Sequence, residues 1–195
     1  PAYMRAADPD APFYTGIELR SNDAIDRTGI VLNKYYTPAY EIGADLLKVS
    51  NEGALNLYTI NQYEQPLAFN GLSDDDAVAP IPVGVTFPKA GEYTFAFDFE
   101  NYDLSGLEAL DLIDKAQGTT TDLLMNDYTF VTNATGTVND RFQIIVRRAK
   151  DVATDIITPS LSEEGRGETT KFIHNGQLFI RRDGKIYNAS GVQVR

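Results

Sequence analysis

Gly91-Glu-Tyr-Thr-Phe-Ala-Phe-Asp-Phe-Glu100 alternates without a break: Tyr93, Phe95, Phe97 and Phe99 fall on one face, and Glu92, Thr94, Ala96 and Asp98 fall on the other. Successive side chains of a strand point to opposite faces, so a period of two sends the rings toward a core and the polar row toward solvent. A helix would scatter the same rings around its circumference, because its faces repeat every three to four residues. The stretch therefore reads as a half-buried strand. Two neighbours share the pattern: Ile81, Val83, Val85 and Phe87 alternate with Pro82, Gly84 and Thr86, and Phe142, Ile144 and Val146 alternate with Arg141, Gln143 and Arg147.

Weaker strands read at Thr15 to Arg20, Thr28 to Asn33, Asp45 to Val49, Leu55 to Ile60, Ala109 to Asp114 and Tyr128 to Thr132. Turn signals separate them at Asn22-Asp23, Asn51-Glu52-Gly53, Asn70-Gly71, Lys89-Ala90-Gly91, Gln117-Gly118 and Thr135-Gly136, each with residues that tolerate positive φ or cap a turn. The best helical candidate, Leu104 to Lys115, reads better as a turn entering a strand. Short strands at this spacing predict an all-β chain, an antiparallel β-sandwich of jelly-roll or immunoglobulin-like type, over residues 1–150.

Composition narrows the partners. Seventeen basic against 28 acidic residues give a net charge of −11, a field that repels phosphate backbones and anionic headgroups, so neither nucleic acid nor a membrane surface is expected as a partner. No apolar run approaches the roughly 20 residues that span a bilayer. Without Cys there is no disulfide, thiolate metal site or Cys nucleophile. No glycine-rich phosphate loop or Walker pattern occurs, and no cofactor is expected. The chain starts at Pro1 without a signal-peptide pattern, which reads as a mature or truncated piece of a longer precursor.

Past Lys150 the pattern changes. Residues 151–170 are polar and Gly-rich, with Thr158-Pro159-Ser160 leading into Ser162-Glu163-Glu164-Gly165, and read as a linker. In residues 171–195 the turns Asn175-Gly176, Asp183-Gly184 and Ser190-Gly191 punctuate four short segments, Lys171 to His174, Gln177 to Arg182, Lys185 to Ala189 and Val192 to Arg195. Asn-Gly and Asp-Gly are strong two-residue hairpin turns, so a C-terminal β-hairpin or meander is predicted. Its apolar residues, Phe172, Leu178, Ile180, Ile186, Val192 and Val194, are too few to offset backbone ordering at about 1–2 kcal/mol per residue. The tail must therefore dock on something or be marginal alone.

This tail, with Gly176, Gln177, Leu178, Ile180, Asp183, Gly184, Lys185, Tyr187, Asn188, Gly191, Val194 and Arg195, resembles the end of the C-terminal sorting domain of Bacteroidetes proteins exported by the type IX system. That family ends in an apolar strand, an Asp-Gly-Lys turn, a Tyr-Asn pair, a Gly turn and a terminal basic residue. The resemblance implies an exported protein of the cell surface or extracellular space, with the export machinery as partner. The segments Gly91-Glu-Tyr-Thr-Phe, Asp122-Leu-Leu, Asp127-Tyr-Thr-Phe and Asn139-Asp-Arg-Phe142 resemble a β-sandwich module that often precedes such a tail in Bacteroidetes surface proteins of uncharacterised role. It implies no activity. From the residues alone, Tyr128, Phe130 and Phe142 read as stacked core rings.

Chemistry-bearing residues are sparse. His174 is the sole histidine and reads as an exposed turn residue, so a Ser-His-Asp triad or an HExxH site has no parts. Asp98, Glu100, Asp103, Asp111 and Asp114 cluster in sequence and could supply the paired carboxylates of a glycosidase, although acidic residues are also ordinary at strand ends. Ser73-Asp74-Asp75-Asp76 could offer oxygens to Ca²⁺ but lacks the alternating ligand spacing and reads as a solvated loop. Tyr35, Tyr36 and Tyr40 flank Pro38 in a segment without alternation and form a candidate platform for a protein or glycan ligand. The expected function is a non-catalytic surface module with an export tail; the alternative is a carbohydrate-binding module that uses these tyrosines.

Overall fold

The computed structural model describes residues 11–102, 104, 106–149, 169–174, 177–182 and 185–194, with the backbone alone at 169, 170 and 172–174. The described residues are all-β apart from one turn of helix. In order it forms β1 (Phe13–Arg20), β2 (Ile25–Leu32), β3 (Leu46–Leu47), β4 (Asn56–Ile60), β5 (Pro66–Leu72), α1 (Asp74–Ala77), β6 (Ile81–Phe87) and β7 (Gly91–Phe97). There follow β8 (Leu107–Asp114), β9 (Thr119–Asp122), β10 (Tyr128–Thr132), β11 (Gly136–Arg148), β12 (Thr169–His174), β13 (Gln177–Arg182) and β14 (Lys185–Asn188).

The body is one hydrogen-bonded sheet in the order β10-β7-β1-β2-β5-β4-β6-β11-β8-β9, with β3 added to β5. It is folded over on itself as a sandwich, because inward side chains of β1, β2, β7 and β10 meet those of β4, β6, β8 and β11 in a single apolar cluster. Strand β5 makes the crease. Its later residues pair with β2 (Gly29↔Phe69 through Leu32↔Leu72), and its first residues pair with β4 (Thr59↔Leu67, Ile60↔Pro66). The β2–β5 pairing is parallel, which corrects the expectation of a purely antiparallel sandwich. A strand that passes from one layer to the other at a fold in the sheet need not reverse direction against both neighbours.

Alternation places the core as predicted in β6 and β7. Val83 and Val85 are fully buried, and Tyr93, Phe95 and Phe97 are at most 1 % exposed. Strand β7 stops at Phe97, two residues before the alternation ends. Asp98 is buried, and its carboxylate accepts from the Asn101 backbone N–H at 3.3 Å and from Asn101 Nδ2 at 2.7 Å, turning the chain. Phe99 then leaves the strand face and packs edge-on against Phe97 at 4.7 Å.

Asn70-Gly71, predicted as a turn, lies inside β5. A Cβ at Gly71 would sit 2.5 Å from Ala44 Cβ, so glycine here serves close approach of the loop before β3. Strand β9 went unpredicted because Thr119 to Asp122 has no apolar alternation. Ser73-Asp74-Asp75-Asp76 is a capped helical start: Ser73 Oγ accepts from the Asp76 N–H at 3.0 Å, which gives acidic residues a place beside unpaired N–H groups.

The cross-strand pair Gly16↔Gly29 lets the ring of Tyr102 lie on the outer face of β1 and β2. The C-terminal sheet has the order β12-β13-β14. Register pairs His174 with Gln177 and Arg182 with Lys185, while the predicted turns Asn175-Gly176 and Asp183-Gly184 lie outside the described residues. Thr169 and Thr170 belong to β12, so the tail begins two residues earlier than expected, while residues 151–168 of the linker lie outside the description. The fourth segment is reduced to the bridge Tyr187↔Gln193.

The tail docks on the body. Phe179 (6 % exposed) and Ile186 (0 %) join the body's apolar cluster, the guanidinium of Arg181 lies 4.2 Å from the Phe99 ring centroid, and β12 lies against β8. The buried face of β13 is therefore the Phe179 and Arg181 face. Leu178, on the opposite face, is 41 % exposed.

Two substitutions test this architecture. A methyl at Gly16 would stand 2.7 Å from the Thr28 carbonyl oxygen and from Tyr102 Cε2, so Gly16→Ala is expected to destabilise the protein by about 1–3 kcal/mol in urea unfolding. Ile186→Ala is expected to weaken docking by about 2–4 kcal/mol, read as lost amide-exchange protection in β13 and β14 with the body's protection retained. Unchanged protection would show that the tail does not rest on this contact.

Candidate functional site

The tail motif residues have distinct structural tasks. Asn188 ends β14, and its Oδ1 accepts from the backbone N–H groups of Ser190 (3.1 Å) and Val192 (2.9 Å). Gly191 adopts φ 79°, a left-handed conformation that favours glycine, and donates its N–H to the Asn188 carbonyl at 2.9 Å. The Tyr-Asn pair and the Gly turn thus build one reversal, which returns the chain so that the Val194 N–H reaches the Ile186 carbonyl at 2.7 Å. Lys185 is exposed and Tyr187 half-buried, both on β14. Gly176, Asp183 and Gly184 lie outside the described residues, as does the side chain of His174.

The body's motif segments converge on one seam. Tyr93 and Phe95 on β7, Tyr128 and Phe130 on β10, and Phe142 on β11 stack with Phe87 of β6; Phe95 to Phe142 is 4.9 Å and Phe130 to Phe142 is 5.1 Å between centroids. Leu123 and Leu124 are fully buried in the same cluster. At the seam's polar end lies Asp114, the last residue of β8, whose side chain is 1 % exposed. Arg141 grips it with Nε at 3.0 Å from Oδ1 and Nη2 at 2.6 Å from Oδ2, and the Tyr128 hydroxyl donates to Oδ2 at 2.8 Å. The same guanidinium lies 4.6 Å from the centroids of both Phe130 and Phe142.

Burial alone would raise the Asp114 carboxyl. The hydrogen bonds from Arg141 and Tyr128, with the arginine's charge, outweigh it and hold the group below the ordinary carboxylate range. Burial and the adjacent carboxylate push the Tyr128 phenol upward.

The other carboxylates of the expected acidic cluster are engaged as well. On the outer face of β1 and β2, Arg27 Nε lies 3.4 Å from both Glu18 and Asp98, and its Nη2 bonds Glu100. Arg20 bridges Glu18 (2.9 Å) and Asp127 (2.5 Å). Asp111 lies 3.8 Å from Arg147, and Asp103 is outside the described residues. Of these acids it is Asp114 that Arg141 and Tyr128 hold ionised, an unfavourable state for a proton donor. Among the described residues no group of three His, Cys, Asp or Glu is arranged to hold a metal ion, and no helix is long and apolar enough to cross a membrane.

The three candidate tyrosines differ in exposure. Tyr35 is 66 % exposed beneath Lys34 Nζ, and Tyr40 is 38 % exposed. Tyr36 turns inward, its Cδ2 3.2 Å from where a Gly71 Cβ would stand. Their loop is nonetheless firmly held. Asn33 Oδ1 accepts from the Tyr35 N–H (3.0 Å), Glu41 Oε1 from the Thr37 N–H (3.0 Å), and buried Asp45 from the N–H groups of Glu41 (2.7 Å) and Gly71 (2.6 Å). Sequence reading missed Arg141 and Arg181, whose partners are remote in the chain, and Phe179, which was passed over in favour of Leu178 and Ile180.

Comparison of the chain with protein-family models, with curated proteins and with solved structures finds no match.

Breaking a buried pair strands the remaining charge, so Asp114→Asn is expected to cost about 3–5 kcal/mol at neutral pH. The carboxyl's folded value lies below its unfolded value of about 3.9, so its contribution is complete above that value and is lost as pH falls through the folded one. Urea unfolding of both proteins from pH 7 down to pH 3 should show the gap narrowing below about pH 4. A gap constant with pH would contradict the assignment.

Proposed function

We propose that the chain is a non-catalytic module of an exported bacterial cell-surface or secreted protein, with a C-terminal tail that serves export and surface attachment. The observation that carries this reading is the ordered motif of the tail, from Lys185 through Tyr187 and Asn188 to Gly191, on a sheet of its own at the end of the chain. The tail's backbone pairing is separate from that of the body, so a receptor could take it by strand addition without opening the sandwich. Among the described residues the tail docks through Phe179, Ile186, the Arg181–Phe99 contact and β12 against β8, an attachment of side chains rather than of shared backbone pairing.

The non-catalytic half rests on the engaged state of the acids. Glu18, Asp98 and Asp114 each have an arginine partner, and the Asp114–Arg141 pair lies where the sandwich closes. The reading as a surface module of Bacteroidetes type rests on the resemblance of the tail and of the segments that meet at the aromatic seam.

Deleting Lys171 to Arg195 from the full-length protein in its own cells is expected to abolish surface display, measured by protease shaving of intact cells. A control that carries Ile186→Ala alone, which disturbs docking and leaves the motif residues in place, should still be displayed. Display that survives the deletion would count against the sorting role.

A further inference from the structure

The sandwich carries a cavity of about 240 Å³ that the preceding reading does not use. It opens between the tyrosine-bearing loop, through Pro38, and the β4–β5 turn, through Asn61 and Gln62; Leu72 and Ile81 contribute apolar wall, and Asp76 of α1 stands at its rim. Asn70 of β5 also lines it. This residue is 3 % exposed and lines the cavity, where its side-chain amide can both donate to and accept from a ligand's hydroxyl groups.

Both walls are preorganised. In the β4–β5 turn, Asn61 Oδ1 accepts from the N–H groups of Tyr63 and Gln65, each at 3.0 Å, and Asn61 Nδ2 donates to Gln65 Oε1 at 2.9 Å. Opposite, the side-chain bonds of Asn33, Glu41 and Asp45 fix the loop of residues 33–45. Each wall also carries an exposed tyrosine near the lining residues: Tyr40 (38 %), two residues beyond Pro38, and Tyr63 (63 %), next to Gln62. Rigid loops that hold amphipathic rings beside a small apolar cavity reduce the ordering cost of binding.

We infer that this cavity is a binding site for a neutral saccharide, taking one sugar ring between the Asn70 and Gln62 amides with Tyr40 and Tyr63 against adjoining units. The cavity lies below the roughly 300–1,000 Å³ of drug-sized ligand sites, which suits a single ring. Amides and sugar hydroxyls are both donors and acceptors, so they match without charge. Asp76 at the rim and the chain's net charge of −11 disfavour anionic sugars. The inference rests on the reading of the sandwich as a non-catalytic binding module and is independent of the tail.

The test uses the full chain on an array of neutral gluco-, galacto-, manno- and xylo-oligosaccharides beside uronate and sialylated glycans, followed by calorimetric titration of the best binder. Neutral glycans should bind. Asn70→Ala should weaken affinity about tenfold, and so should the exposed, fold-neutral Gln62→Ala, with thermal unfolding recorded for both. Absence of binding, preference for the acidic glycans, or affinity unchanged in Gln62→Ala would overturn the site. Cleavage of a bound glycan, followed by chromatography, would instead overturn the non-catalytic reading, and surface display tests the tail separately.

Discussion

A single buried carboxylate closes the body of this protein. The sheet is continuous from β10 to β9, and nothing in its hydrogen-bond ladder requires the two ends to meet. They meet over the shared apolar cluster, and there Asp114, on β8 beside one edge, takes the Tyr128 hydroxyl from the other edge strand and the Arg141 guanidinium from β11. The guanidinium then covers the rings of Phe130 and Phe142, so the ion pair and the aromatic core are one assembly. A polar group so deeply buried is tolerable only because its oxygens are satisfied, the Ala116 N–H at 2.9 Å included.

That closure determines what the rest of the chain can do. With β6, β7, β10 and β11 packed around the rings, the outer face, the loops before β3 and after β4, and the tail remain to present side chains outward. Each has its own polar pinning. Lys48 reaches Asp26 at 2.5 Å, and the same carboxylate oxygen accepts the Leu57 N–H at 2.6 Å, so the segment after β3 is tied to β2 and β4. The tail is pinned by apolar contact instead, through Phe179 and Ile186, a form of attachment that a competing strand can replace.

Much of the sandwich was legible because its core strands alternate strictly. The apolar parity of β6 and β7 is buried as read, with Gly84 and Ala96 of the other parity buried too, and Tyr128 to Thr132 forms a strand with the bounds its sequence suggests. Strand β5 was not legible, since Asn70-Gly71 reads locally as a turn; the small residue is needed because Ala44 and Tyr36 press on it from outside the strand. Asp114 did carry a local signal, as its Oδ1 accepts the Ala116 and Gln117 N–H groups as a turn residue should. Its larger role depends on Arg141, placed against it by the β8–β11 pairing, which no local pattern reveals. The cavity was invisible for the same reason, being assembled from Pro38, Gln62, Asn70 and Asp76 on separate segments.

The central claim is that this sandwich works outside the cell and that its tail takes it there. The most direct measurement is immunolabelling of intact, unpermeabilised cells with an antibody raised against the sandwich body, with a periplasmic protein as integrity control and the culture medium assayed in parallel. The account predicts label on the intact cell surface or antigen in the medium. Antigen reached only after permeabilisation, with none in the medium, would contradict it.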